Sequence, residues 1–152
     1  MHEFKEIASG DPLKEVVKTA FDAEMDISGG WGYSQDEATR IHSSELPLEQ
    51  FEHTFAMMRA YIEMNMTLSE EERFGSINPK EIKREEIVEN SKTYDKVTYE
   101  ITAMQESRYN DFINAYKKGY GQEDFDLSAH FQERKEATLH REVQHWFLKD
   151  FV

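Results

Sequence analysis

The fold class depends most on residues 96–103, which read KVTYEITA. In this stretch the apolar residues Val97, Tyr99, Ile101 and Ala103 alternate with polar ones. A period of two places the apolar side chains on one face of a β-strand, and β-branched and aromatic residues favour strands. The pattern therefore predicts a half-buried strand whose apolar face meets the core.

Two neighbouring segments extend this prediction to a small sheet. Residues 82–89 can pair with the strand through a turn at Asn90-Ser91-Lys92. Residues 38–43 form a short β-prone run that ends before Pro47. We expect a strand in each of these two segments. A helix is the alternative for each.

The segment from Pro47 to about Met66 predicts the central helix. Its apolar residues recur at a spacing of three and four, which is the signature of one helix face. Further apolar residues widen this stripe, so the helix should be buried over much of its surface. We expect nearly complete burial of Phe51, Phe55, Met58 and Ile62.

Helices should also flank this centre on both sides. Asp11 and Pro12 are typical of a helix start, and the glycines from Gly29 onward predict that this helix ends near Ile27. A capping box at Ser69 predicts a single turn. A short helix should begin at Ser107, and a last one at Ser128 should carry Phe131, Leu139, Val143, Trp146, Phe147 and Phe151.

The order of elements then predicts an α+β fold in a single globular domain over residues 1–152. A small antiparallel sheet of two to three strands would pack against four to five helices. The alternative is an all-α bundle in which residues 82–104 form one helix.

Composition excludes several classes of function. The chain has 152 residues, no cysteine, a formal net charge of −13 and a pI of about 4.9. Disulfides, thiolate metal sites and cysteine nucleophiles are therefore excluded, and binding to nucleic acid or an anionic membrane is disfavoured. No signal-like N-terminus and no apolar run of ~18 residues is visible, so we expect a cytoplasmic protein.

Sequence motifs do not indicate an enzyme or a cofactor. Gly30 and Gly32 begin a G-x-G pattern, but Gln35 stands where a dinucleotide fingerprint needs glycine. No P-loop, nucleophile elbow or zinc-binding H-E-x-x-H motif occurs.

The loop around Trp31 is the first candidate binding site. Gly30 and Gly32 allow close backbone approach, while Trp31 and Tyr33 offer large amphipathic surfaces. Tyr120 could complete an aromatic pocket. The alternative is that the glycines end a helix and the aromatic side chains cover the core.

Carboxylate–imidazole pairs form the second candidate site. Glu49 and His53 lie one helical turn apart, and Glu142 and His145 form an E-x-x-H pair like those in di-metal bundles. The alternative is ordinary surface pairs. The helical positions of Glu49 and His53 lie off the apolar stripe, so we expect both to be exposed and the four side chains not to converge.

Three hypotheses for function follow from these features. The first is a binding or regulatory module that engages a basic protein partner through an acidic face near Trp31, with a homodimer left open. The second is a metal-dependent enzyme or metal carrier that uses the four carboxylate and histidine residues. The third is a small-molecule binding module with an aromatic pocket.

Overall fold

A five-stranded mixed sheet with a long helix packed against it forms the centre of the molecule. The computed structural model describes Phe4, Glu6, Ile7 and residues 10–66, 72–122 and 125–149. None of the described helices is long and apolar enough to cross a bilayer. The elements are α1 (Leu13–Phe21), β1 (Ile27–Gly29), β2 (Thr39–Ile41), α2 (Leu48–Tyr61), a π-helical turn (Ile62–Met66), β3 (Phe74–Glu89), β4 (Lys92–Gln105), α3 (Glu106–Gly119), α4 (Leu127–Ala137) and β5 (Leu139–Lys149).

The strands lie in the order β1-β2-β5-β4-β3. Strand β5 is central: it pairs antiparallel with β4 and parallel with β2, where Thr39 is opposite Phe147. The other pairs are antiparallel. The sheet is mixed because β5 runs parallel to its neighbour on one side and antiparallel to its neighbour on the other.

The β3–β4 hairpin confirms two of the sequence predictions. Residues 82–89 lie in β3, and Val97, Tyr99 and Ile101 of β4 are buried. Asn90 and Ser91 form the turn with positive φ values of 52° and 64°, which suits the twist of a two-residue hairpin. The all-α alternative is therefore wrong for residues 82–104.

Helix α2 supplies the core as predicted. Phe51, Phe55, Met58 and Ile62 are all buried. The Phe55 ring stacks on Trp31 at 5.5 Å between centroids, and it meets His145 edge-on at 5.4 Å. The core is therefore an aromatic layer between α2 and the sheet.

The α+β class is confirmed, but the predicted sheet of two to three antiparallel strands is wrong. The described residues hold five strands, and one pair is parallel. Two strands were missed. Strand β1 lies at the end of the predicted first helix, and β5 lies in the predicted last helix, which in the structure ends at Ala137. Leu139, Arg141, Val143, His145 and Phe147 share the inner face of β5. Because Arg141 and His145 are polar, the apolar residues recur every four positions instead of every two, and the strand pattern is hidden.

The N-terminal half shows smaller differences. Helix α1 ends at Phe21 rather than near Ile27, because Asp22 turns the chain with a left-handed φ of 52°. The prediction of a strand within 38–43 is confirmed by β2. The turn predicted at Ser69 and the position of Phe151 lie outside the described residues.

Candidate functional site

The face of α2 that meets the sheet carries charged residues among its aromatic ones. At 100° per residue, Glu52, Phe55, Arg59 and Glu63 fall within about 80° of one another on the helix surface. All four are buried. Buried charges are costly unless they are paired, so this face must find partners in the sheet and loops.

Glu63 finds two such partners. Its Oε2 accepts a hydrogen bond from the Tyr33 hydroxyl at 2.5 Å, and its Oε1 accepts one from Nη1 of Arg141 at 3.0 Å. The Tyr33 oxygen in turn accepts from the backbone N–H of Ile7 at 2.9 Å. Glu63 lies in the π-helical turn, a distortion that often re-aims side chains at functional positions.

Arg59 connects α2 to two backbone segments, the loop at Trp31 and strand β5 at Gln144. Its Nη1 donates to the carbonyl of Trp31 at 3.2 Å, and its Nη2 donates to the carbonyl of Gln144 at 3.0 Å. The guanidinium carbon lies 4.6 Å from the centroid of the Tyr33 ring, within the range of a cation–π contact. Arg59 therefore fixes the loop and β5 relative to α2.

The protonation of this network follows from its burial. Burial, together with the hydrogen bond to Glu63, raises the pKa of Tyr33. The phenol therefore keeps its proton and acts as a donor. Burial lowers the pKa of Arg59, an effect that the nearby carboxylate of Glu63 opposes.

A cavity of about 550 Å³, which we call the Tyr33 cavity, opens over this network. Phe4 and Val143 are apolar residues of its lining, and the Phe4 ring centroid lies 4.7 Å from the guanidinium carbon of Arg141. Hydrogen-bonding and charged groups form most of the rest. The lining residues are Phe4, Glu6, Tyr33, Arg59, Glu63, Arg141, Glu142, Val143 and Gln144.

The structure separates the residues of the predicted aromatic site. Tyr33 lines the cavity, whereas Trp31 is only 6% exposed and belongs to the core. Tyr120 lies just after α3, 72% exposed, with its ring 5.6 Å from that of Tyr116. The loop thus sends one aromatic residue into the core and the other to the cavity.

Gly30 and Gly32 shape this loop. Gly32 has a φ of +84°, and a Cβ there would overlap the imidazole of His145. Its N–H donates to Glu37 at 2.7 Å, while its carbonyl accepts from Trp146 at 2.8 Å. The N–H of Gly30 donates to Ala38 at 3.2 Å, so both glycines position the loop through the backbone.

The candidate metal ligands lie in different surroundings. Glu49 is exposed as predicted, but the prediction is wrong for His53. This residue is half-buried because β3 packs against α2, and its Nε2 lies 2.7 Å from the carbonyl oxygen of Pro79. Glu142 is exposed, whereas His145 is completely buried. Within the described part of the chain, no group of three or more histidine and acidic side chains is arranged to hold a metal ion.

His145 is a neutral core residue in this structure. Thr39 donates its hydroxyl hydrogen to the carbonyl of Gly30 at 2.9 Å, so at its 3.0 Å contact with His145 Nε2 the imidazole is the donor. Burial, together with the charge of Arg59, lowers the pKa of His145 well below its ordinary value. The ring also stacks on Phe147 at 4.1 Å.

Arg59, Glu63 and Arg141 were missed by sequence reasoning. The signal available for Arg59 and Glu63 was their spacing of four residues within the predicted central helix, on the same side as Phe55. Arg141 carried no such signal, because its segment was interpreted as a helix. Buried charge on a core helix is thus the feature that points to this site.

No family model, curated protein or solved structure matches this chain. The chemistry of the site therefore follows from its own geometry.

Proposed function

We propose that this protein is a small-molecule binding module whose ligand occupies the Tyr33 cavity. The observation that carries the proposal is the Tyr33–Glu63–Arg141 network, centred on the buried Glu63, in the lining of a cavity of about 550 Å³. Cavities of roughly 300–1,000 Å³ with a few fixed polar groups are typical of small-molecule sites.

The lining favours a polar ligand that carries an amino group. Glu6, Glu63 and Glu142 outnumber Arg59 and Arg141 around the cavity. Donors of both arginines are already bonded to protein oxygens, whereas Glu6 and Glu142 are exposed. A cationic group would balance the excess of carboxylates, and the net charge of −13 would favour its approach.

The experiment is a binding screen by NMR with three sets of small compounds of matched size: primary amines, carboxylates and neutral polyols. We expect the amines to shift the signals of Tyr33 and β5. Glu142→Gln should weaken binding about fivefold or less, as expected for one exposed charge. Glu49→Gln is the matched control, because it removes an exposed carboxylate of α2 outside this cavity.

Two results would contradict the proposal. If no set shifted the residues of the Tyr33 cavity, the cavity would not be a ligand site. If the carboxylates bound there and the amines did not, the ligand class would be wrong.

The two other hypotheses stay predictions. A basic protein partner is supported by the net charge, but the buried ring of Trp31 would not be its anchor. A metal-dependent function predicts about one equivalent of metal in the purified protein, which elemental analysis would measure.

A further inference from the structure

A second buried polar cluster lies on α2, on the other side of Phe55 from the Tyr33 cavity. It consists of Glu52, Arg84, Asp95 and Lys149, and we call it the Glu52 cluster. The side chain of Glu52 is completely buried. Its Oε1 accepts from Nη1 of Arg84 at 2.6 Å, but its Oε2 meets no hydrogen-bond partner among the described residues.

The carboxyl group of Asp95 lies beside Glu52. The same Nη1 of Arg84 that bonds to Glu52 is 3.3 Å from Oδ2 of Asp95, so the two carboxyl groups converge on one nitrogen. The side chain of Asp95 is 5% exposed. Because an ionised carboxylate only accepts hydrogen bonds, these two groups can bond to each other only if one of them is protonated.

The two cations beside the pair are also bonded to other carboxyl groups. Lys149 contacts Asp95 at 3.1 Å and also Glu86 at 2.8 Å, while Arg84 also bonds to Glu81 at 2.6 Å. Two cations are thus divided among four carboxyl groups. The groups that face the pair are Glu49 on α2, Glu81, Arg84 and Glu86 on β3, Tyr99 on β4 and Lys149 on β5.

We propose that the buried carboxyl group of Glu52 holds a proton beside Asp95, and that this proton controls how tightly α2 is held against the β3–β4 hairpin. A cavity of about 440 Å³, lined in part by Arg84, Asp95 and Lys149, lies next to the pair. It provides a route by which the proton exchanges with solvent while the aromatic core stays closed.

The direction of the pH effect follows from linkage. Burial raises the pKa of Glu52 to about 8, the neighbouring Asp95 adds to this effect, and Arg84 opposes it. When α2 separates locally from the hairpin, Glu52 regains the ordinary pKa of a carboxyl group. Between these two values the closed form holds a proton that the open form has lost, so opening becomes up to about tenfold easier per pH unit. Above pH ~8 the effect levels off.

The test measures hydrogen exchange of the full chain from pH 5 to 9, corrected for the intrinsic pH dependence of exchange. In the wild type, the protection of amides around Glu52 and Arg84 should fall with rising pH and then level off. Glu52→Gln should remove this dependence, because an amide can accept from Arg84 and donate to Asp95 without titrating. Glu15→Gln is the control and should behave as the wild type, because it removes an exposed carboxylate of α1 that does not line this cavity.

A direct measurement on the wild type tests the protonation of Glu52 even if the variant fails to fold. Carbon-13 NMR of the Glu52 carboxyl group should give a midpoint above about pH 6.5, well outside the ordinary range. A lower midpoint would overturn the proposal. Equal pH dependence of exchange in the wild type and Glu52→Gln would overturn the link to helix opening.

Discussion

At the scale of single residues, Gly32 is the clearest example of a position where the surrounding structure permits only one residue type. Its left-handed φ of +84° disfavours any side chain, and its contact with His145 leaves no space for one. The same backbone position directs Trp31 to the core and Tyr33 to the cavity. One glycine thus links core packing to the candidate site.

We expect Gly32→Ala to lower the free energy of unfolding by ~2–4 kcal/mol, since backbone strain and overpacking act together. The matched control is Gly121→Ala, because Gly121 has a φ of +83° but open space around it. This control should lose only about 1–2 kcal/mol. Urea denaturation measures both, and equal losses would show that the contact with His145 does not matter.

At the scale of elements, α2 both builds the core and aims the polar groups. Its Phe55 touches the rings of Trp31, His145 and Phe147, while Arg59 one turn later binds two backbone carbonyls. The helix is therefore fixed in rotation about its axis by apolar and polar contacts together.

Phe55→Ala should cost ~3–5 kcal/mol of stability, because it leaves a cavity inside the aromatic layer. Met57→Ala on the same helix is the control, since Met57 is 38% exposed and should lose much less. Chemical denaturation compares the two variants. A loss below ~1 kcal/mol for Phe55→Ala would contradict the assigned core.

The π-helical turn is tied to β3 by one side chain. Asn65 donates to the carbonyl of Phe74 at 3.0 Å, and it accepts from the N–H of Phe74 at 2.7 Å. Asn65→Ala should therefore cost ~1–3 kcal/mol, because two buried backbone groups lose their partner. Asn114→Ala, at an exposed position of α3, should change stability by no more than ~0.5 kcal/mol. Similar losses in thermal melts would show that the bridge contributes nothing.

At the scale of the whole molecule, the net charge of −13 sets the response to salt. Self-repulsion of like charges destabilises a compact state, and salt screens it. Raising the ionic strength from low to physiological values should therefore increase the melting temperature by a few degrees, which corresponds to on the order of 1 kcal/mol.

The control for this salt effect is a variant with less negative charge. Replacing the exposed Asp36, Asp111 and Glu133, which lie away from helix N-termini, with the corresponding amides should raise the melting temperature at low salt and reduce the response to added salt. If the variant and the wild type responded equally, repulsion between these charges would not be the cause.

The sequence by itself determined the parts of the fold whose signal is local. The apolar stripe of α2, the alternation of Val97, Tyr99 and Ile101, and the turn at Asn90-Ser91 are each contained in a short stretch of chain. They were confirmed because helix and strand periods are properties of neighbouring residues. For the same reason the α+β class could be predicted.

Only the tertiary structure decided β5, its parallel pairing with β2 and the polar sites. Inward positions of β5 carry Arg141 and His145, so the alternation that marks a strand was hidden. In the sequence, Glu52 and Glu63 have the character of surface residues. In the structure they are paired with Arg84 and Arg141, which lie on strands distant in sequence. A charged side chain can be buried only where such partners meet it, and folding alone brings those partners together.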